Sequence, residues 1–242
     1  MYACSIIKDE DGDPVLDIEQ AMKSTQYRQF INSICSLEKV QLENLSHTKR
    51  IAFFLNVYQC MYIHNFFKTI SQRPEGDRGS SSFSSYFSSS KLPFHYNVAG
   101  TSYMLDDIKH GMLRGNKCKP GHMMRVLSAS DPKTSILPRS IQGDPRVNFV
   151  CLDFPDFVEH IEAIRGEDQD ELGKSLDDFV GEILNAKVNM TNQLNGAIAV
   201  PNLVTTYRVD FGKSDQSIIE FIYPYLDNPE LKMNEILQQI SM

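Results

Sequence analysis

The residues best suited to chemistry are concentrated in residues 103–114, which have the sequence Tyr-Met-Leu-Asp-Asp-Ile-Lys-His-Gly-Met-Leu-Arg. His110 and Arg114 are four residues apart, so they share one side of a short helix. There His110 could act as an acid, a base or an orienting group, and Arg114 could anchor a carboxylate. The alternative, which we favour, is a structural network that ties the helix to a buried strand. Its candidate carboxylates are Asp106, Asp107 and Asp144.

A second pair of polar candidates, Asn56 and His64, lies within an apolar stretch that predicts a helix. Eight residues separate them, which places them on one face of that helix to within about 80°. A buried amide without a partner costs roughly 1–3 kcal/mol, so Asn56 must be hydrogen-bonded. The pair could converge with His110 in a polar site, or it could belong to a satisfied core network, which we favour.

The cysteines are weak candidates for a nucleophile. Cys60 lies in the middle of the predicted helix and Cys151 in an apolar segment, so we expect both to be inert core thiols. Cys118 stands between two lysines and is better explained as a reactive surface thiol than as a catalyst. Asp156 and His160 have helical i, i+4 spacing, which an acidic first helical turn explains without a metal ion. The sequence therefore predicts no cofactor and no metal site.

The hydrophobic pattern predicts an α+β fold that is mostly helical, with a central buried helix and a small antiparallel sheet. The central helix spans about residues 46–70, and residues 94–105 form a hairpin that turns at Ala99-Gly100. A short helix follows with Asp106 as its N-cap, and Val147–Leu152 is predicted as a buried strand. The other predicted helices cover about residues 15–37, 155–164, 170–186, 201–209, 215–226 and 229–240, with a strand-like segment at 187–200.

We expect a single domain over residues 14–242, preceded by a disordered segment at 1–13. Nine serines make residues 71–91 a flexible surface loop, because such a stretch cannot bury enough apolar area to offset its ordering entropy.

The net charge of −7 argues against non-specific binding of nucleic acid. The apolar run Ile51–Phe67 is too short and too polar to span a membrane. Five widely spaced cysteines favour a reducing compartment, and the expected location is the cytosol.

Four sequence blocks, in this order and spacing, resemble the domain of unknown function 547 family. The first is Ile51–Gln59, with His64 beyond it on the same helix. The others are Tyr96–Gly100 leading into Leu105–Arg114, then Asp144–Phe149, and last Tyr207–Gly212. The resemblance extends over about residues 45–226. It implies a fold distantly like that of papain-type thiol hydrolases.

The chain departs from the family pattern where cysteine chemistry would be expected. The family usually has a histidine at the position of Asn148 and an asparagine at that of Gln59. After the predicted strand it usually has Asn-Cys-Gly and then Ser-Cys-Pro, where this chain has Val150–Pro155. The resemblance therefore implies that the nucleophile of a thiol enzyme is missing here.

Two functions follow from this comparison. The first is a catalytically degenerate scaffold or interaction module, with other proteins as partners and with neither nucleic acid nor membrane. The alternative is a thiol hydrolase-like enzyme or a transferase that uses His110 as acid or base, with a substituted partner. The candidates for that partner are Asp153, Cys151 and Cys60.

Overall fold

The computed structural model describes residues 6–8, 14–16, 18–72, 94–137, 143–151, 162–192, 201–212 and 214–226. These residues divide into two compact units. The first unit combines Met1–Asn44 with Val57–Leu105, and the second combines Leu45–Asn56 with Asp106–Met242. The predicted helix at 229–240, and most of the serine-rich loop and of the helix at 155–164, lie outside the described residues. The single domain at 14–242 stays a prediction.

The first unit begins with two short strands and two helices. Strands β1 (Ile6–Lys8) and β2 (Pro14–Leu16) pair antiparallel and precede helices α1 (Ile18–Lys23) and α2 (Thr25–Ile34). The side chain of Ser24 caps α2 by accepting a hydrogen bond from the backbone N–H of Tyr27. Short 3-10 turns follow at Cys35–Lys39 and Leu42–Asn44.

The long helix α3 (His47–Ser71) confirms the predicted central helix. Its residues 47–56 belong to the second unit and its residues 57–71 to the first. Fully buried side chains occur along most of its length, which explains its weak amphipathicity. They include Ile51, Phe54, Leu55, Met61 and Phe67.

The predicted hairpin is also confirmed. Strands β3 (His95–Val98) and β4 (Thr101–Met104) pair antiparallel, with Tyr96 opposite Tyr103. The two turn residues, Ala99 and Gly100, have φ angles of 51° and 75°. Positive φ at both central positions is the geometry of a type I′ turn, which matches the twist of the flanking strands.

The second unit is helical and carries a π-helix where the sequence predicts an ordinary helix. The π-helix spans Asp107–Leu113 and a 3-10 turn spans Pro132–Ile136. Its α-helices are α4 (Val147–Val150), α5 (Gln169–Asn192), α6 (Asn202–Thr206), α7 (Arg208–Phe211) and α8 (Asp215–Ile222), followed by a 3-10 turn at Tyr223–Tyr225. In the described residues the fold is thus mostly helical with small antiparallel pairs of strands, which confirms the predicted fold class.

Two local predictions are wrong, and a third holds only in part. Val147–Leu152 is not a strand, because Val147–Val150 forms one helical turn. A short apolar run does not distinguish a strand from a buried helical turn, and Pro145 just before it favours helix initiation. The strand-like segment at 187–200 is wrong up to Asn192, where α5 ends. Asp106 stands at the N-cap of the π-helix, as predicted, but its side chain makes no capping hydrogen bond.

Candidate functional site

The π-helix places His110 and Arg114 side by side in the second unit. Its wider turn is visible in the hydrogen bond from the backbone N–H of Arg114 to the carbonyl of Lys109, which spans five residues. Both side chains are buried, and Nη1 of Arg114 lies 2.7 Å from Nδ1 of His110. Arg114 Nη1 also donates to the carbonyl of Cys118. The structure therefore brings this predicted pair together inside the protein.

The carboxylate at the centre of the cluster is Asp210. Its Oδ2 accepts hydrogen bonds from Nε of Arg114 at 2.6 Å and from Nδ2 of Asn148 at 3.1 Å. Its Oδ1 accepts from Nζ of Lys117 at 2.9 Å. Burial alone raises the pKa of Asp210, but the hydrogen bonds from Arg114 and Lys117 outweigh it and hold that pKa below its usual value. Asp210 is therefore a buried, ionised carboxylate that accepts hydrogen bonds from three side chains.

Sequence reasoning missed Asp210 and named nearer carboxylates in its place. Asp107 pairs with Lys133 at 2.8 Å, and Asp144 pairs with Arg146 at 2.7 Å. Asp106 pairs with Lys119, and its Oδ1 lies 3.8 Å from Nε2 of His110. A usable signal existed, because Asp210 stands inside the last of the four blocks that resemble the family.

Tyr207 provides an aromatic face for the cluster. Lys109 Nζ and Arg114 Cζ each lie 4.7 Å from the centre of its ring, within the range of cation–π attraction. The rings of His110 and Tyr207 stack with an interplanar angle of 26°. Lys109 Nζ also donates to the carbonyl of Cys151 at 2.6 Å. These contacts keep two cations close to the imidazole.

That environment holds His110 in its neutral form. Burial lowers the pKa of His110 to about 3, and neighbouring cations act in the same direction while Asp210 opposes them. Those cations are Lys109, Arg114 and Lys119. Arginine offers donors and no acceptor, so Nδ1 of His110 must be the acceptor in its bond with Arg114. The proton of the neutral ring therefore lies on Nε2, on the side of Asp106.

The other predicted pair is engaged elsewhere. The side-chain amide of Asn56 makes two hydrogen bonds with the backbone of Ile164, at 2.8 and 2.9 Å, within the second unit. In the first unit, Nδ1 of His64 lies 2.9 Å from the hydroxyl of Tyr96. Burial and the charge of Lys68 lower the pKa of His64. Both side chains thus have local partners within their own unit.

The residues 42–154 match the family described as "Protein of unknown function, DUF547". This part of the chain is a DUF547 domain. The match includes His110, Arg114 and Asn148, whereas Asp210 and Tyr207 lie beyond it. No curated protein and no solved structure matches the chain, and the distant likeness to papain-type hydrolases stays a prediction.

Among the described residues of the second unit, no cysteine side chain makes a hydrogen bond with His110. In the described part of the chain, Arg114 is the only hydrogen-bond partner of the His110 ring. Burial raises the pKa of the Cys60 thiol, which disfavours the nucleophilic thiolate. Cys151 is buried, and Cys118 donates its S–H to the carbonyl of Met123.

Two further findings concern only the residues that the structure describes. No group of three or more His, Cys, Asp and Glu side chains is arranged to hold a metal ion. No helix combines the length and the apolar character needed to cross a membrane.

Proposed function

We propose that this DUF547 domain is a catalytically degenerate scaffold that makes contacts with other proteins, and that the cluster around His110 is structural. The observation that carries the proposal is the 2.7 Å contact between Nη1 of Arg114 and Nδ1 of His110. This contact occupies the lone pair that a general base needs. In the proposal His110 is a fixed hydrogen-bonding element, and the ion pair of Arg114 with Asp210 fastens the π-helix to α7.

The protonation state of His110 supports the same conclusion. An efficient general base has a pKa near the working pH, because it must both lose and regain a proton. With a pKa of about 3, His110 is too weak a base to take a proton from a thiol or a hydroxyl at neutral pH. The imidazole is also buried, so a substrate would have to displace part of the core to reach it.

The position of Asn148 also supports the loss of catalysis. The resemblance to the family implies a histidine here, but Asn148 donates its amide hydrogen atoms to Asp210 and to the carbonyl of Pro145. An amide cannot exchange protons as an imidazole does. In the proposal the position at which the family usually has a histidine has become part of the hydrogen-bond network around Asp210.

The alternative is a thiol hydrolase-like enzyme or a transferase that uses His110 as acid or base. The observation that favours it is that Nε2 of His110, which bears the proton, faces Asp106, whose side chain is 48% exposed. A proton donor on that side would lie closer to solvent than Nδ1 does. This alternative still needs a nucleophile, for which Cys60 and Cys151 are the described candidates.

Thiol labelling distinguishes the two functions. Native protein is treated with iodoacetamide near neutral pH, and the modified cysteines are mapped by mass spectrometry. We expect Cys35, which is exposed, and Cys118 to react, and Cys60 and Cys151 to react slowly. The pattern should be the same in the variant His110→Asn, whose carbonyl can still accept a hydrogen bond from Arg114.

The matched control is His122→Asn, which changes an exposed histidine. Fast labelling of Cys60 or Cys151 that is lost in His110→Asn and retained in His122→Asn would support the enzyme and contradict the scaffold.

A cytosolic location remains part of the proposal. It is supported by the free thiols of Cys35, Cys60, Cys118 and Cys151.

A further inference from the structure

The second unit carries an exposed loop whose tip holds two methionines, here called the methionine loop (residues 116–127). The side chains of Met123 and Met124 are 98% and 83% exposed. The next residue, Arg125, is exposed and makes no ion pair or hydrogen bond within the described residues. Single exposed apolar side chains are common, but adjacent methionines followed by a free arginine are the residue types enriched at protein interfaces.

The methionine loop is closed at its base by a buried asparagine. Asn116 donates to the carbonyl of Leu127 at 2.9 Å and accepts from the N–H of Leu127 at 3.0 Å. Leu127 is 2% exposed and packs closely against Gly111 of the π-helix. Both ends of the loop are therefore fixed in the interior of the second unit.

Contacts inside the loop hold its tip in shape. The N–H of His122 donates to the carbonyl of Lys119 at 3.0 Å, and the thiol of Cys118 donates to the carbonyl of Met123. Lys117 and Lys119 are held by Asp210 and Asp106, which lie outside the loop. A preformed tip loses less conformational entropy on binding than a flexible one does.

The charge around the methionine loop is opposite to that of the whole chain. Residues 108–130 include five Lys or Arg residues and no Asp or Glu, although the chain has a net charge of −7. Carboxylates from elsewhere neutralise Lys117 and Lys119 at the base of the loop. At the tip the charge of Arg125 is left uncompensated, and this favours an acidic partner.

The residue types at the tip favour a protein over a membrane surface. Segments that bind anionic lipids usually carry clusters of about 4–8 Lys/Arg and use Trp, Phe or Leu as the inserted residues. Residues 117–126 have three Lys/Arg, two of which are in ion pairs, and no aromatic residue or leucine. Methionine, by contrast, is flexible and polarisable and adapts to the shape of a pocket on another protein.

We propose that the methionine loop docks into an apolar pocket with an acidic rim on a partner protein. Met123 and Met124 fill the pocket, and Arg125 pairs with a carboxylate at its rim. This inference rests on the proposed scaffold function, because it names the surface through which the scaffold makes contact.

A random peptide library displayed on phage tests the docking surface with a defined probe. The full chain is the bait, and enriched dodecapeptides are synthesised and measured by fluorescence anisotropy. We expect peptides that combine Asp or Glu with large apolar residues, and binding that weakens as salt is added. The double variant Met123→Ser/Met124→Ser, and separately Arg125→Glu, should each weaken binding by about tenfold or more.

The matched control is Met104→Ser combined with Arg28→Glu. These substitutions make the same kinds of change at a 43% exposed methionine and an exposed arginine of the first unit, and binding should be unchanged. All variants should keep the wild-type unfolding midpoint, because the altered side chains are exposed. The wild-type chain should not bind vesicles that contain phosphatidylserine.

Three results would overturn the docking proposal: no enriched peptide, peptides whose binding survives both loop variants, or vesicle binding that the loop variants abolish. Peptides that bind elsewhere would leave the scaffold function standing while removing the loop from it. Conversely, labelling of Cys60 that depends on His110 would contradict the scaffold even if peptides bound the loop.

Discussion

At the scale of single residues, the buried ion pair between Arg114 and Asp210 decides whether the cluster is structural. Asp210 accepts three hydrogen bonds, and its side chain is 3% exposed. Losing one partner of a buried pair leaves an uncompensated charge, which costs more than the pair itself contributes. This asymmetry makes truncation of Arg114 a sensitive probe of the account.

We expect Arg114→Ala to lower the free energy of unfolding by about 3–5 kcal/mol, because the Asp210 carboxylate would stay buried with one cation fewer. Urea unfolding of the full chain, followed by circular dichroism, measures this change. The control is Arg208→Ala, which breaks an exposed pair with Asp215 and should cost at most about 1 kcal/mol. If the free energy of unfolding changes as little in Arg114→Ala as in Arg208→Ala, the ion pair of Arg114 is not structural, and Arg114 would instead be a candidate for binding a ligand.

At the scale of elements, the π-helix depends on a glycine at its centre. A Cβ atom at Gly111 would lie 2.9 Å from Cγ and Cδ1 of Leu127, closer than carbon atoms normally approach. Changing a glycine inside a helix to alanine usually stabilises the protein. A loss of stability on this change at Gly111 would therefore indicate the close packing of Leu127. The same contact supports the base of the methionine loop.

Gly111→Ala should therefore destabilise the protein by about 1–3 kcal/mol through overpacking. Gly181→Ala in α5 is the matched control, because no atom lies within 4 Å of the added Cβ, and it should stabilise by about 0.5–1 kcal/mol. Chemical denaturation of the two variants gives both values. If Gly111→Ala is as favourable as Gly181→Ala, the packing of Leu127 on the π-helix is looser than described.

Local sequence patterns predicted where the elements lie better than they predicted whether an element is a helix, a strand or a π-helix. The apolar run over Ile51–Phe67 and the Ala99-Gly100 turn were sufficient for α3 and the hairpin. The same reasoning predicted a strand at Val147–Leu152, because a short and mostly apolar run fits a strand and a buried helical turn equally well. The π-helix could not be foreseen, since its extra residue per turn depends on packing and not on a sequence period.

At the scale of the whole molecule, the site depends on residues that are distant in sequence. The spacing of His110 and Arg114 was visible locally, but Asp210 lies 96 residues from Arg114. Asn56 similarly finds its partner, Ile164, 108 residues away. Sequence reasoning therefore identified two members of the cluster and searched for their carboxylate among near neighbours. It could not place Tyr207, whose ring contacts depend on the tertiary fold.

The neutral state of His110 links the cluster to the stability of the whole protein. A histidine in the unfolded chain has a pKa near 6.5, whereas the folded His110 has a pKa of about 3. As the pH falls, the unfolded chain therefore binds this proton at a higher pH than the folded protein does. The contribution of neutral His110 to the free energy of unfolding is therefore fully present above about pH 6.5. It falls as the pH drops towards 3, by at most about 1.4 kcal/mol per pH unit. The lowered pKa of Asp210 adds a loss in the same direction at lower pH.

The most direct test of the account is an NMR titration of the ¹⁵N-labelled imidazole of His110 between pH 8 and pH 5, assigned with His110→Asn. The account predicts ring nitrogen shifts that stay constant, with the proton on Nε2 and an unprotonated Nδ1 that accepts from Arg114. The exposed His122 serves as the internal control. A midpoint for His110 near pH 6.5, or a proton on Nδ1, would contradict a locked structural imidazole.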